Sequence, residues 1–435
     1  MASTPASDLD QPVENNEFLG ARERFPLHDF VGFHEAELPG LLRSRGALAG
    51  ADVAEIAPIA LRVGNAAFTY SPGGGGVAVD LGEDSAAAVV ALSNDAFSDF
   101  VNEIHSVSGL AMGGKLSFER GELADLHRWE PALRALYTGR PIWTPSAAAE
   151  LVDANGERLD LARAFTLDDS DEELRAFLEV AGFLHVRGAF GPGEVAELGA
   201  ELERVRAALE PGKGDCWWST KTDGTQVVTR INYLDRWSQR LKAQCFEARI
   251  QRLGRLIAED LRVCDDRLDG PMAFVKNSNV AQGLGDLQWH QDDGLGGHQV
   301  MCPLMQVGLQ LDAANAENGQ VWVLAGSHRY TNHPMAWGDE DGKPVVKLVT
   351  EPGDVTVHFG DIYHTTPPPT GENAGRRVLY FKFAKPRTFE MIPAGAHYND
   401  VLFKAGAEGR VATRADTWSE NDTQEAMESK IFGEG

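Results

Sequence analysis

A short segment of alternating character, LQWHQDDGLGGH (287–298), carries a histidine and a carboxylate two positions apart. On an extended backbone, residues i and i+2 project from the same face, so His290 and Asp292 can converge on one cation. This pair leaves the remaining coordination to other parts of the chain. A histidine from a distant strand would complete a face of two histidines and one carboxylate, which is typical of non-haem Fe(II) oxygenases.

An HxD pattern arises easily by chance in an acidic chain, so the distal ligand decides the interpretation. The segment GDVTVHFGDIYH (353–364) predicts two short strands around a tight turn, and His364 ends the second strand. From their positions alone, His358 and His298 are rival third ligands. Asp293 is predicted to point to the opposite face from its neighbour in the HxD pair and to take no part.

The C-terminal half resembles the phytanoyl-CoA dioxygenase family of Fe(II)- and 2-oxoglutarate-dependent oxygenases over about residues 166–390. The resemblance implies a double-stranded β-helix, or jelly-roll, with flanking helices. Five stretches carry it in the order of the family: FLEVAGFLHVRGAFGPGEVAEL (177–198), WHQDD (289–293), LDAANAENGQVWVLAGSH (311–328), GDVTVHFGDIYH (353–364) and GRRVLYFKF (375–383).

The resemblance implies that His290, Asp292 and His364 bind Fe(II), with 2-oxoglutarate and O2 as cosubstrates. With this assignment, His358 and His298 are not expected to bind the metal. The resemblance also gives His328 of the "GSH" stretch a structural hydrogen-bonding role. Halogenating relatives replace the carboxylate with a small residue, so the presence of Asp292 favours hydroxylation or another oxidation.

The basic residue that pairs with the far carboxylate of 2-oxoglutarate falls on Arg376 by the same resemblance. A guanidinium suits this role because it binds a carboxylate through two parallel hydrogen bonds. The spacer TTPPPTGENAG is one residue longer than usual, which leaves Arg377 as an alternative, and only one of two neighbours on a strand can face inward. Thr366 and Lys276 are further candidates for holding this cosubstrate.

The N-terminal part, residues 23–140, resembles a sterol-carrier-like α+β lipid-binding domain. The resemblance rests on VAVDLG, LSNDAFSDFV and MGGKLSFERG. The local pattern predicts a β-hairpin around Gly73–Gly76, a strand at Val89–Leu92 and a helix capped by Ser93 or Asn94. The fold class is therefore predicted as α+β, with this smaller domain preceding the jelly-roll oxygenase domain.

The remaining boundaries follow from composition. Residues 1–22 are polar and acidic without periodicity and predict a disordered lead-in, and 141–165 predict a linker. The oxygenase domain is predicted at 166–392, followed by a C-terminal extension and mobile tail at 393–435.

The predicted function is hydroxylation of a small organic substrate, with release of succinate and CO2. The sterol-carrier-like resemblance favours a lipid or an acyl-CoA. The alternatives are desaturation or cyclisation at the same iron site, and a catalytically silent lipid- or metabolite-binding protein. The segment 215–237 mixes aromatic and basic residues and supplies four candidates for the substrate pocket: Trp217, Trp218, Arg230 and Tyr233.

Charge and cysteine usage exclude other classes. With 40 Lys and Arg against 65 Asp and Glu, the formal net charge of −25 disfavours nucleic acid and anionic membrane surfaces as partners. Four cysteines without a CxxC pair, and an N-terminus without a leader pattern, predict a reduced cytoplasmic protein. No apolar run approaches the roughly 18 residues of a membrane span. The sequence gives no indication of the oligomeric state.

Overall fold

The computed structural model of the protein describes residues 24–50, 53–112, 114–211, 216–283, 287–292, 296–371 and 374–392, together with 394, 397 and 399. The predicted lead-in (1–22), nearly all of the predicted C-terminal extension and Asp293 lie outside the described residues. Among the described helices, none has the length and apolar character that crossing a membrane requires.

The N-terminal domain contains a five-stranded sheet with helices. Its strands are β1 (Ile59–Val63), β2 (Ala66–Gly73), β3 (Gly76–Leu81), β4 (Ala88–Leu92) and β5 (Leu116–Arg120). Its helices are α1 (Phe30–Gly32), continued by a π-helical turn (Phe33–Glu37) into α2 (Leu38–Gly50), then α3 (Asn94–Val101), α4 (Val107–Met112) and α5 (Leu123–Thr138).

The sheet order is β3-β2-β1-β4-β5, in which β1 and β4 run parallel and the other pairs are antiparallel. The predicted hairpin and the predicted strand at β4 are confirmed, since Gly73 pairs with Gly76 and β4 covers residues 88–92. Ser93, rather than Asn94, is the cap of α3, because its side chain accepts a hydrogen bond from the Ala96 amide. Aromatic rings fill the centre of this domain, among them Phe30, Phe33, Phe68, Phe97, Tyr70, Trp129 and Tyr137.

The C-terminal domain contains two further sheets. The strands are β6 (Phe183–Val186), β7 (Cys216–Lys221), β8 (Gln226–Ile231), β9 (Arg262–Val263), β10 (Met272–Lys276), β11 (Val280–Gly283), β12 (Leu287–His290), β13 (Leu304–Gln310), β14 (Trp322–Leu324), β15 (Val345–Lys347), β16 (Val355–Phe359), β17 (His364–Thr366) and β18 (Arg376–Ala384). The helices are α6 (Asp171–Ala181), α7 (Pro192–Ala208), α8 (Gln239–Ala243), α9 (Ala248–Gly254), α10 (His298–Met301) and α11 (Pro386–Met391), with 3-10 turns at Pro145–Glu150, Leu234–Arg236, Gln244–Phe246 and Ser327–Arg329.

The larger sheet has the order β11-β7-β8-β10-β18-β13-β16-β6, with β9 paired to β18, and the smaller sheet has the order β12-β17-β14-β15. Successive side chains of strands β13, β16 and β18 point to opposite faces of the larger sheet. Their odd-numbered residues, such as Val307, Val357 and Phe381, enter an apolar core that also contains side chains of α6 to α9. Their even-numbered, mostly polar residues therefore face the smaller sheet, and this inner face is where a polar site can form.

The two domains pack directly against each other. Ile104 of the N-terminal domain belongs to an apolar cluster with Val300, Met301 and Leu304 of the C-terminal domain. The Gly297 amide donates a hydrogen bond to the Ile104 carbonyl over 2.7 Å. The predicted linker is also packed, since Trp143 lies in an apolar cluster beside the smaller sheet.

Candidate metal centre

Three predicted ligands come together at the edge of the smaller sheet. His290 ends β12 and His364 begins β17, and the two residues are paired across these strands. Ligand atoms of His290, Asp292 and His364 all lie within 4.8 Å of one another. Asp292 Oδ1 is 3.5 Å from His290 Nε2, and Asp292 Oδ2 is 3.8 Å from His364 Nε2. Two imidazoles and one carboxylate in this arrangement fit the facial triad of a non-haem Fe(II) site.

Backbone carbonyls orient both histidine rings. His290 Nδ1 lies 2.7 Å from the Gln288 carbonyl oxygen, and His364 Nδ1 lies 2.9 Å from the Ile362 carbonyl oxygen. In each case the carbonyl belongs to the residue two positions earlier. A proton on Nδ1 that donates to this carbonyl leaves the lone pair of Nε2 directed at the cation, so the backbone selects the tautomer that a metal ligand needs.

The protonation states also suit a metal. Burial and the neighbouring His290 lower the pKa of His364 to about 3, so its imidazole is neutral at pH 7. Burial raises the pKa of Asp292, but His364, His290 and His358 lower it more, and the net pKa is well below the ordinary value for an aspartate. The centre therefore offers a carboxylate and a neutral imidazole without prior loss of a proton.

The larger sheet adds Gln306, which sequence reasoning missed, and His358, which was named as a rival third ligand. Gln306 on β13 donates a hydrogen bond from Nε2 to Asp292 Oδ2 over 3.0 Å. His358 on β16 is buried, with Nε2 3.7 Å from the same oxygen and its ring 4.9 Å from the ring of His364. His358 thus touches the centre, although the three-residue ligand cluster does not include it. The signal for both residues is their even-numbered position on an alternating strand.

Tyr380 is a second residue on this inner face that sequence reasoning missed. Burial raises the pKa of Tyr380, the nearby Asp292 carboxylate raises it further, and Arg376 lowers it. The net pKa is above the ordinary value for tyrosine, so the phenol is protonated at pH 7. Its ring approaches the His358 ring edge-on at 6.2 Å. Gly308 makes room for it, because a Cβ at Gly308 would lie 2.6 Å from Tyr380 Cε1.

Arg376 and Arg377 point in opposite directions. Arg376 is 3 % exposed and donates Nε and Nη2 to the Gly319 carbonyl over 3.1 and 2.8 Å. Arg377 lies on the outer face, where it forms a bidentate pair with Asp312 and also contacts Glu203. Of the two alternatives, the structure therefore brings Arg376 to the interior.

The two weaker candidates for cosubstrate binding lie beside Arg376. Lys276 is paired with Arg376 across β10 and β18, and its Nζ donates to the carbonyls of Thr366 and Pro367 over 2.8 and 3.2 Å. Lys276 and Arg376 of the larger sheet therefore lie close to Thr366, which ends β17 of the smaller sheet.

The four residues predicted for the substrate pocket lie in different places. Trp217 and Arg230 are paired on β7 and β8, and Arg230 lies over the rings of Trp217 and Phe274 on the inner face. Arg230 is held there by Asp269 at 2.8 Å. Trp218 packs instead against the large apolar core, as does Cys216 two positions earlier.

Tyr233 is also removed from the inner face of the sheet, in the loop after β8. It is 2 % exposed, with φ +52°, and its ring contacts the Arg236 guanidinium.

The remaining histidines lie outside the triad. His328 Nε2 donates to the Glu179 carbonyl over 3.1 Å, and burial lowers its pKa to about 4, which agrees with the predicted structural role. His298 faces Asp361, with Nδ1 3.0 Å from Oδ2.

The C-terminal domain and its candidate metal centre fit an Fe(II)/2-oxoglutarate oxygenase fold. Residues 178–378, a little under half of the chain, match the family model described as Phytanoyl-CoA dioxygenase (PhyH). This match supports the family resemblance of the C-terminal region. It also confirms, at the level of the family, the expected Fe(II), 2-oxoglutarate and O2. The sterol-carrier-like resemblance of the N-terminal domain has no counterpart among these matches.

Individual relatives are distant. The dioxygenase af480 of Aspergillus fumigatus is 24 % identical over 238 residues, which are 52 % of this chain and 70 % of that protein. Among solved structures, EvdMO1 is 22 % identical with a TM-score of 0.39, and the match covers 48 % of each chain, so this chain spans about half the length of EvdMO1. HygX of Streptomyces hygroscopicus, solved with nickel and 2-oxoglutarate, is 18 % identical with a TM-score of 0.38, over 50 % of this chain and 88 % of that one.

Proposed function

We propose that this protein is an Fe(II)- and 2-oxoglutarate-dependent dioxygenase that hydroxylates a small organic substrate. The observation that carries the proposal is the convergence of ligand atoms from His290, Asp292 and His364 within 4.8 Å, with both histidine tautomers set for metal binding. Iron bound there, with 2-oxoglutarate and O2, supplies the chemistry that yields succinate and CO2 and oxidises a C–H bond of the substrate.

Residues of the chain hold the reactants in place. His290, Asp292 and His364 would hold the iron as its protein ligands and would leave the cosubstrate and O2 to complete its coordination. Gln306 fixes the Asp292 carboxylate through the hydrogen bond to Oδ2. Arg376 is the partner of the far carboxylate of 2-oxoglutarate, since it is buried and its guanidinium plane is oriented by Gly319.

The proposal includes the jelly-roll architecture and the predicted domain boundaries. Support for the former comes from the contacts of Gln306 and His358 with the triad, which join the larger sheet to the smaller one. An aromatic and cationic wall for a substrate is supported by Trp217, Arg230 and Phe274 on the inner face.

A lipid or acyl-CoA substrate rests on the sterol-carrier-like resemblance of residues 23–140 alone. A cytoplasmic location is supported by four buried cysteines that form no disulfide.

The test is anaerobic addition of Fe(II) and 2-oxoglutarate to the full chain. We expect a visible metal-to-ligand charge-transfer band, and succinate formation after oxygen is admitted. His290→Ala should abolish the band, whereas His28→Ala, which removes a histidine of the N-terminal domain, should leave it unchanged. If the unmodified protein gave neither the band nor succinate, the proposed enzyme activity would be refuted and a silent binding protein would be favoured. Mass spectrometry of products from lipid and metabolite panels then separates hydroxylation from desaturation or cyclisation.

A further inference from the structure

A second group of metal-ligand side chains lies at the seam between the two domains. Ligand atoms of His298, Cys302 and Asp361 all lie within 4.8 Å of one another. His298 begins α10 and Cys302 directly follows its end, so the two are four residues apart and lie on one face of this helical turn. Asp361 comes from the turn between β16 and β17.

The donor set differs in kind from that of the iron triad. It combines a thiol, an imidazole and a carboxylate, and the thiol is buried and not in a disulfide. Thiolate and imidazole are the ligands that zinc and related borderline ions prefer, whereas the iron triad contains no sulfur. We propose that His298, Cys302 and Asp361 form a second transition-metal site, for an ion of the zinc class, independent of the proposed iron centre.

A buried carboxylate lies at the same seam. Glu103 of the N-terminal domain is 1 % exposed, and its Oε2 is buried without a hydrogen-bond partner among the described residues. Three acids at the seam, Glu103, Glu130 and Asp361, pair with Arg134 and Arg140. Arg387 donates to the Cys302 carbonyl over 2.7 Å, so a third guanidinium group lies beside the cluster.

Arg140 would compete with a metal ion for the Asp361 carboxylate. Its Nη2 lies 3.4 Å from Asp361 Oδ2, but the same nitrogen is closer to the carbonyls of His328 and Tyr330, at 3.0 and 3.2 Å. Both the arginine and His298 approach Oδ2, which leaves Oδ1 outside these contacts. The His298 side chain is 29 % exposed, although its Nδ1 atom is buried.

The site would join the two segments that bear the iron ligands. The Asp292 amide donates to the Gly360 carbonyl over 2.6 Å, and Gln291 Nε2 donates to the Asp361 carbonyl over 2.5 Å. An ion bound by α10 and by the Asp361 turn would add a third link between the chain after Asp292 and the chain before His364. Because such an ion binds only the folded protein, it should raise the melting temperature.

Cobalt(II) is the sharpest probe, since thiolate coordination gives an intense near-ultraviolet charge-transfer band that the sulfur-free iron triad cannot give. In the full-length His290→Ala protein, where the triad is incomplete, we expect one Co(II) per chain with this band, and its loss on addition of Zn(II). Cys302→Ser in the same background should remove the band. The matched control is Cys264→Ser, a buried cysteine of the same apolar cluster, which should retain it.

Folding of each variant is checked by circular dichroism, and His298→Gln serves if Cys302→Ser does not fold, with a weakened or absent band expected. A missing thiolate band in the well-folded His290→Ala protein would overturn the proposal, as would a band that survives Cys302→Ser. Neither result bears on the Fe(II) and 2-oxoglutarate band of the unmodified protein, so the two proposals fail separately.

Discussion

Replacement of Arg376 by lysine tests the proposed binding of 2-oxoglutarate. The substitution keeps a positive charge in the interior but removes the planar guanidinium, which is held by two hydrogen bonds to the Gly319 carbonyl. A lysine cannot reproduce two parallel hydrogen bonds to a carboxylate. One hydrogen bond to a charged group is worth about 1.5–3 kcal/mol, so the dissociation constant for 2-oxoglutarate should rise roughly 10- to 150-fold.

The assay is anaerobic titration of the iron-loaded protein with 2-oxoglutarate, followed by its visible band, and it needs no knowledge of the substrate. Arg377→Lys is the matched control on the neighbouring position. Because Arg377 pairs with Asp312 and Glu203 on the outer face, its replacement should change the dissociation constant less than twofold. An unchanged constant for Arg376→Lys, together with weaker binding for Arg377→Lys, would show that the inward assignment is wrong.

Three further changes probe the neighbourhood of the site and the N-terminal core. Gln306→Leu removes the hydrogen bond to Asp292 Oδ2 and should weaken Fe(II) binding about 10- to 100-fold in chelator competition. Gly308→Ala places a Cβ 2.6 Å from Tyr380 and should lower the free energy of unfolding by about 1–3 kcal/mol in urea titrations. Burial lowers the pKa of His34 to about 4, so protonation favours the unfolded chain, and stability should fall by about 3 kcal/mol as the pH drops from 6.5 to 4.

Each of these has its own control. Gln310→Leu alters a buried glutamine on the same face of β13 that bonds to Gly308 and Thr356, so it should spare Fe(II) affinity, and equal losses would point to a general packing defect. Gly193→Ala, with open space around its Cβ position, should be neutral. His34→Gln should flatten the acid-dependent loss, and an unchanged pH profile would assign that loss to other groups.

Local pattern was sufficient for several elements of the fold and for the HxD pair. The hairpin at Gly73–Gly76 and the strand at β4 follow from turn chemistry and alternation, which depend on neighbours in the chain, whereas the cap of α3 was left between Ser93 and Asn94 until the structure selected Ser93. The pair His290 and Asp292 follows from strand periodicity, for the same reason.

Other features required contacts between remote segments. The stretch 353–364 predicts two strands around a turn, but β16 and β17 belong to different sheets, and this crossing places His358 against His364. Gln306 reaches Asp292 for the same reason, from a strand of the opposite sheet.

The sequence by itself determined which candidate ligands the chain carries, their order along it, and the family that residues 178–378 resemble. The tertiary structure decided between Arg376 and Arg377, because alternation shows that neighbours diverge but not which one faces inward. It also brought His298, Cys302 and Asp361 beside Glu103. Sheet pairing and domain packing join residues that are far apart in the chain, and no local periodicity encodes such contacts.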